Sequence, residues 1–248
     1  MTFPAATGKP LGFPNCPTCP YYAQGASDIC IDCALSTVPP LTGRRCPTCA
    51  QQVDAGGCRN RICTMPAGQR GFTSVAAISV DSSPLREKVR QYKYDGVIGW
   101  GAIFGRLVLG WLDRHATAAA TFTHIVANPS HINRQPYRHI ESMLQAAKTE
   151  DIHGRWPIYP VALVKPVETP PSAGKGWQAK LDAAFEHARV LQLSAAPDSG
   201  PALRGARILL VDDIFTTGAQ LHAVGRRFLD SGAASVDGLV LARHPWGL

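Results

Sequence analysis

The 248-residue chain is 45% hydrophobic and 17% charged, a balance that excludes a fibrous or wholly disordered protein and implies a core of its own. Its formal net charge of +7 favours anionic partners, nucleotides or nucleic acid among them, without choosing between them. Residues 1–15 carry Pro4, Pro10 and Pro14 and no continuous apolar run, and the longest apolar stretch, 100–112, is broken by Arg106; the expectation is a disordered N-terminus over 1–15, no secretory signal, no membrane span and a cytoplasmic protein.

All eight cysteines lie near the N-terminus, as Cys16-x2-Cys19, Cys30-x2-Cys33, Cys46-x2-Cys49 and Cys58-x4-Cys63. Close pairs of this kind suit two thiolates on one tetrahedral ion, so the spacing predicts two structural Zn²⁺ sites in a small double zinc ribbon over 16–66. Sequential sites, Cys16/Cys19/Cys30/Cys33 and Cys46/Cys49/Cys58/Cys63, are the expected pairing; a cross-brace fits the same spacing. Disulfides are the alternative chemistry, disfavoured without a secretory signal. The segment has few large apolar residues, and metal would supply its folding energy, on the order of 10 kcal/mol per site. No His and no open position appears in the pattern, so both sites read as structural, not catalytic.

Residues 72–80 read as a strand. Ser83 and Pro84 then supply an N-cap and an N1 proline for a helix with Leu85, Val89 and Tyr92 on one face, stopped by Asp95 and Gly96. Trp100, Ile103, Phe104, Leu107, Val108, Trp111 and Leu112 follow helical spacing, with Gly101, Gly105 and Gly110 offering close contacts. Residues 122–128 form a strand closed by Pro129, and Pro136 starts a helix carrying Tyr137, Ile140, Leu144 and Ala147. A strand over 158–164 follows. Beyond a Pro/Gly-rich stretch, a helix presents Trp177, Leu181, Phe185 and Ala188. The last strand covers 235–242. Strands alternating with helices over 71–248 predict an α/β fold, a parallel sheet flanked by helices.

Residues 208–221 are the most informative: four aliphatic residues, then Asp212 and Asp213, then Thr216, Thr217 and Gly218 opening a helix through Leu221, Val224 and Phe228. A continuous apolar run suits a strand covered on both faces, and ligands bind at the carboxyl ends of such strands. Unpaired N–H groups at the helix start favour an anion, whereas two carboxylates repel phosphate and accept hydrogen bonds from vicinal hydroxyls. A ribose 5-phosphate meets both demands. An ordinary strand end with an Asp cap is the plainer alternative, and a Walker-type loop is excluded because no Gly-Lys-Ser/Thr follows.

This stretch resembles the phosphoribosyl pyrophosphate (PRPP) motif of type I phosphoribosyltransferases. Together with the cysteine pairs, residues 83–96 (Ser-Pro-Leu-Arg-Glu-Lys-Val-Arg-Gln-Tyr-Lys-Tyr-Asp-Gly) and 239–245 (Leu-Val-Leu-Ala-Arg-His-Pro), it is similar in order to the ComF family, from Cys16 to Pro245. That resemblance implies a type I phosphoribosyltransferase-like domain behind a double zinc ribbon and a phosphoribosyltransferase activity with Mg²⁺ and PRPP. By position, Asp212 and Asp213 are the catalytic pair on ribose, and Thr216, Thr217, Gly218, Ala219 and Gln220 bind phosphate. Lys93, Asn128, Ser130 and His131 are the candidates for the pyrophosphate side. The chain departs from the family over 126–139 and again over 175–185.

The family's link to natural competence implies other partners: single-stranded DNA, a competence helicase or a recombination mediator. Tyr92, Tyr94 and Trp246 with Arg90, Lys93, Arg243 and His244 could form a base-stacking surface, or could be packing. Arg44, Arg45, Arg59, Arg61 and Arg70 could contact phosphates. Three readings stand: a transferase acting on a base or amine, a DNA-uptake accessory that binds PRPP or a nucleotide without turnover, and a zinc-ribbon adaptor for a partner protein.

Overall fold

The computed structural model describes Val38 and residues 41–170, 176–195 and 200–245. The expected disorder of 1–15, the pair set Cys16/Cys19/Cys30/Cys33, and Trp246 lie outside the described residues.

The described chain is α/β. After a short helix α1 (Arg61–Thr64) come strand β1 (Val75–Val80), helices α2 (Ser83–Tyr94), α3 (Trp100–Arg114) and α4 (Ala116–Ala119), strand β2 (His124–Ala127) and helix α5 (His139–Glu150). Strands β3 (Ile158–Tyr159) and β4 (Leu163–Val164), helix α6 (Trp177–Arg189), strands β5 (Gln192–Leu193) and β6 (Arg207–Phe215), helix α7 (Ala219–Asp230) and strand β7 (Ser235–Arg243) follow. Five strands form one parallel sheet in the order β1-β7-β6-β2-β3.

Alternation along the central strands divides the core between the two faces. Leu209, Val211, Leu239 and Leu241 join Leu85, Val89, Phe104, Val108, Ile140 and Leu144 on the side of α2, α3 and α5. Ile208, Leu210, Val236 and Val240 join Ala184, Ala188, Leu221, Val224 and Phe228 on the side of α6 and α7. Burial on both faces is why β6 reads as an unbroken aliphatic run. Cys46, Cys49 and Ile62 belong to the second cluster, and Thr48 O accepts a 2.9 Å hydrogen bond from Val75 N. The cysteine segment is thereby packed onto the sheet.

Several local expectations are corrected. The cap of α2 is Ser82, one residue before the expected Ser83. Helix α5 begins at His139, not at Pro136. The strand expected over 158–164 is two short ones, because Pro160 has no N–H for a ladder and the chain turns there; β3 stays in the parallel sheet and β4 pairs antiparallel with β5. On α6 the buried stripe is Ala183, Ala184, His187 and Ala188, while Phe185 is 42% exposed. Small alanines let α6 approach the core closely, and the phenyl ring sits at its border, edge-on to His222. Strand β6 continues through both aspartates to Phe215 instead of ending before them. Arg106, which interrupts the apolar face of α3, is fully buried and bonds Glu150 of α5 at 3.3 Å. No described helix is long and apolar enough to cross a membrane.

Candidate functional site

The carboxyl end of β6 gathers side chains from four elements. Asp213 is buried, and its Oδ2 accepts from Lys93 Nζ in the last turn of α2 at 2.6 Å and from His139 Nε2 at the start of α5 at 3.1 Å. Asp212 Oδ2 accepts from Asn128 Nδ2, just past β2, at 2.7 Å. The pair also bonds backbone: Asp213 N donates to Asp212 Oδ1 at 2.9 Å and Ile214 N to Asp213 Oδ1 at 2.7 Å. Neighbouring parallel strands deliver these groups because their carboxyl ends lie on one edge of the sheet.

The two carboxyls are driven apart in acidity. Burial and then the Asp213 charge raise the pKa of Asp212 from 3.8 to about 7. Burial also works against the charge of Asp213, but Lys93 and His139 outweigh it and hold Asp213 well below the ordinary carboxylate range. Burial lowers the pKa of His139, favouring the neutral ring; the Asp213 bond then keeps the proton on Nε2. Lys93 is likewise opposed by burial, yet the Asp213 carboxylate raises its pKa overall. One firmly ionised acid therefore stands beside one that titrates near neutrality.

The loop after β6 turns sharply. Gly218 caps α7 with φ +84°, a left-handed conformation, and a Cβ there would lie 2.4 Å from Phe215 Cζ. Glycine is required on both counts. Thr216 is exposed, Thr217 is buried with Oγ1 3.4 Å from Ala219 N, and Ala219 and Gln220 form the first turn of α7. The four N–H groups that open a helix have no intrahelical acceptors and carry the positive end of its dipole.

Of the expected residues, Asp212, Asp213, Lys93 and Asn128 are brought into contact, and Thr216 to Gln220 follow directly on the strand. Ser130 and His131 engage other groups. Ser130 N donates to Glu141 Oε1 at 2.8 Å, and the backbone of His131 bridges to Lys165. His139, Glu141 and Arg138 were missing from the sequence-derived site. Arg138 Nη2 bonds the fully buried Glu141 at 2.8 Å, so this pair holds the loop that carries Ser130. Only the i, i+3 spacing of opposite charges could have flagged it.

Of the residues weighed as a base-stacking surface or as packing, several are packed or paired. Tyr92 is 2% exposed and donates to His139 O, Arg243 is 1% exposed, Lys93 is held by Asp213, and Arg90 pairs with Asp95. Tyr94 is exposed at 62%. Arg45 and Arg70 bond within the cysteine segment, to Ala50 O and Thr48 Oγ1, while Arg44, Arg59 and Arg61 are exposed.

Cys46, Cys49, Cys58 and Cys63 form a candidate metal centre. Their sulfurs all lie within 4.8 Å of one another, with Cys46–Cys63 at 3.8 Å and Cys49–Cys58 at 3.6 Å. Metal–sulfur bonds of about 2.3 Å put tetrahedral ligand atoms about 3.8 Å apart, so four soft donors at this separation fit zinc. The grouping agrees with sequential pairing for this site.

The fold and site define an α/β protein with a five-stranded parallel sheet flanked by helices and a cysteine cluster compatible with a zinc ribbon. No family model matches the sequence. Among curated proteins, the chain is similar to Competence protein ComFC of Streptococcus pneumoniae (strain ATCC BAA-255 / R6), 24% identical over 217 residues that cover 88% of each protein. The resemblance to the ComF family is thus borne out along nearly the whole chain.

Proposed function

We propose that the end of β6 binds the ribose 5-phosphate part of PRPP and that the chain is a ComF-type phosphoribosyltransferase. The observation that carries this reading is the acidic pair followed at once by the Gly218-capped start of α7. Asp212 and Asp213 accept hydrogen bonds from the ribose hydroxyls, and the N–H groups of Thr216 to Gln220 hold the 5-phosphate. Asn128 supports the reading: its Oδ1 is buried without a hydrogen-bond partner beside Asp212, an acceptor suited to a hydroxyl or to water on a cation. The oxygens of Asp212, Asp213 and Asn128 suit Mg²⁺, which would neutralise pyrophosphate charge when bound.

As the bond from C1 to pyrophosphate breaks, positive charge develops on the ribose ring, and the ionised Asp213 steadies it. His139 and Lys93 fix that carboxylate in place. A nitrogen of the second substrate, a base or an amine, forms the new bond to C1. The test is Mg²⁺-dependent pyrophosphate release from PRPP with a panel of bases and ammonia. Release that Asp213→Ala abolishes is expected; no release with any acceptor from folded, metal-replete protein contradicts transferase activity.

A second reading, single-strand contact during DNA uptake, draws on the similarity to a competence protein and on exposed Arg44, Arg59 and Arg61. Its signature is single-strand affinity that falls linearly on a log scale with salt and weakens in an Arg44/Arg59/Arg61→Ala variant. No binding at low salt eliminates it. Both readings are of a cytoplasmic protein.

A further inference from the structure

The anion loop is tied from behind to the cysteine cluster. Arg243 Nη1 donates to the carbonyls of Phe215 and Thr216, each at 2.9 Å, and to His244 O at 2.7 Å. The same guanidinium reaches Cys49 O with Nε at 2.9 Å and approaches Cys49 Sγ with Nη2 at 3.9 Å, and it lies over the Phe215 ring at 4.5 Å. Asn60, between Cys58 and Cys63, completes the set. Its Nδ2 donates to Thr217 O at 3.1 Å, while its Oδ1 accepts from Ile62 N at 2.9 Å and caps α1, which carries Cys63.

Three consecutive loop carbonyls are therefore drawn toward two residues in direct contact with the cysteine segment. A planar trans peptide points its N–H opposite to its C=O. Carbonyls of Phe215, Thr216 and Thr217 held by Arg243 and Asn60 turn the N–H groups of Thr216, Thr217 and Gly218 to the side away from those anchors. Successive N–H groups aimed into one concavity make an anion site. Both anchors are buried, Asn60 at 6% and Arg243 at 1% exposure.

We infer that Asn60 and Arg243 are positioning residues that shape the phosphate loop, and that through them metal occupancy of Cys46/Cys49/Cys58/Cys63 is coupled to phosphate binding. The inference rests on the ribose-phosphate reading of the loop. Coupling of this kind is reciprocal: the metal that fixes Cys49 and Cys63 favours the loop's binding shape, and a bound phosphate retains the metal.

The test uses the full chain loaded with zinc, ribose 5-phosphate as probe, and a colorimetric chelator to follow metal release. In the parent protein, saturating ribose 5-phosphate slows release several-fold. Asn60→Ser keeps a capping oxygen for Ile62 N but lacks the amide donor to Thr217 O. It should retain full metal content, bind the probe about tenfold more weakly, and show less slowing at equal saturation. Arg243→Lys keeps the charge, loses the fork and should shift both readouts the same way, with metal content reporting intact folding. Equal affinity and equal protection in Asn60→Ser overturn the inference while leaving the ribose-phosphate reading intact. No binding by the parent protein overturns both.

Discussion

Lys93 Nζ lies 2.6 Å from Asp213 Oδ2, joining the end of α2 to the end of β6 across 120 residues of chain. The contact neutralises a buried carboxylate and leaves its neighbour, Asp212, to titrate near neutral pH.

Removing one partner of a buried pair leaves the other uncompensated. Lys93→Met should lower unfolding free energy by about 3 kcal/mol at pH 7, measured by urea denaturation. Asp213 is held below the ordinary carboxylate range, so its contribution is complete above the unfolded value of 3.8 and is lost only as pH falls through its lower folded value. Without Lys93 that depression is lost, so the parent's advantage over the variant should shrink as pH falls below 3.8. Unchanged stability and acid profile would show the pair to be energetically idle.

Asp212 has the opposite sign. Its pKa rises from 3.8 to about 7 on folding, so between those values the folded chain holds a proton that the unfolded chain lacks. Its favourable contribution is complete below the unfolded value and is lost as pH rises through about 7. Asp212→Asn removes that dependence. Thermal melts should show the variant gaining on the parent as pH rises from 4 to 8, a window spanning the 3.8-to-about-7 shift; a pH-independent difference argues against it.

Gly218→Ala places a methyl group 2.4 Å from Phe215 Cζ at φ +84°. Gly205 shares the left-handed conformation, φ +74°, with nothing within 4 Å of a Cβ. Gly205→Ala thus measures backbone strain alone, about 1 kcal/mol. Gly218→Ala should cost about 1–3 kcal/mol more and weaken ribose 5-phosphate binding, read by denaturation and titration. Equal costs at the two sites would place the Phe215 contact outside the loop's energetics.

Cys58→Ser removes one of four clustered sulfurs. Elemental analysis should show one fewer zinc ion per chain than in the parent, and proteolysis should reach the segment around residues 41–70. Unchanged zinc content would remove this cluster from the metal centres.

Legibility in the sequence followed distance along the chain. The aliphatic run, Asp212, Asp213 and the Thr-Thr-Gly turn are contiguous, so strand, acidic edge and helix start could be read together. The close cysteine spacing announced a metal cluster in the same way. His139 and Asn60 were missed because their partners, Asp213 and Thr217, are 74 and 157 residues away. Asn60 did carry a local cap signal before α1, but nothing in that signal names Thr217. The break at Pro160 was hidden by apolar residues on both sides, and the expected face of α6 holds at Trp177, Leu181 and Ala188 but not at Phe185, where alanines make the close contacts instead. Arg243, which the sequence left open between a base-stacking surface and packing, is buried because three loop and segment carbonyls supply its acceptors.

Titration calorimetry of ribose 5-phosphate into zinc-replete protein with Mg²⁺ tests the central claim most directly. Saturable binding to one site, reduced at least about tenfold in Asp213→Asn by loss of a charged acceptor, is the predicted result. An absence of heat for ribose 5-phosphate, PRPP and nucleoside monophosphates from a folded protein would contradict the account.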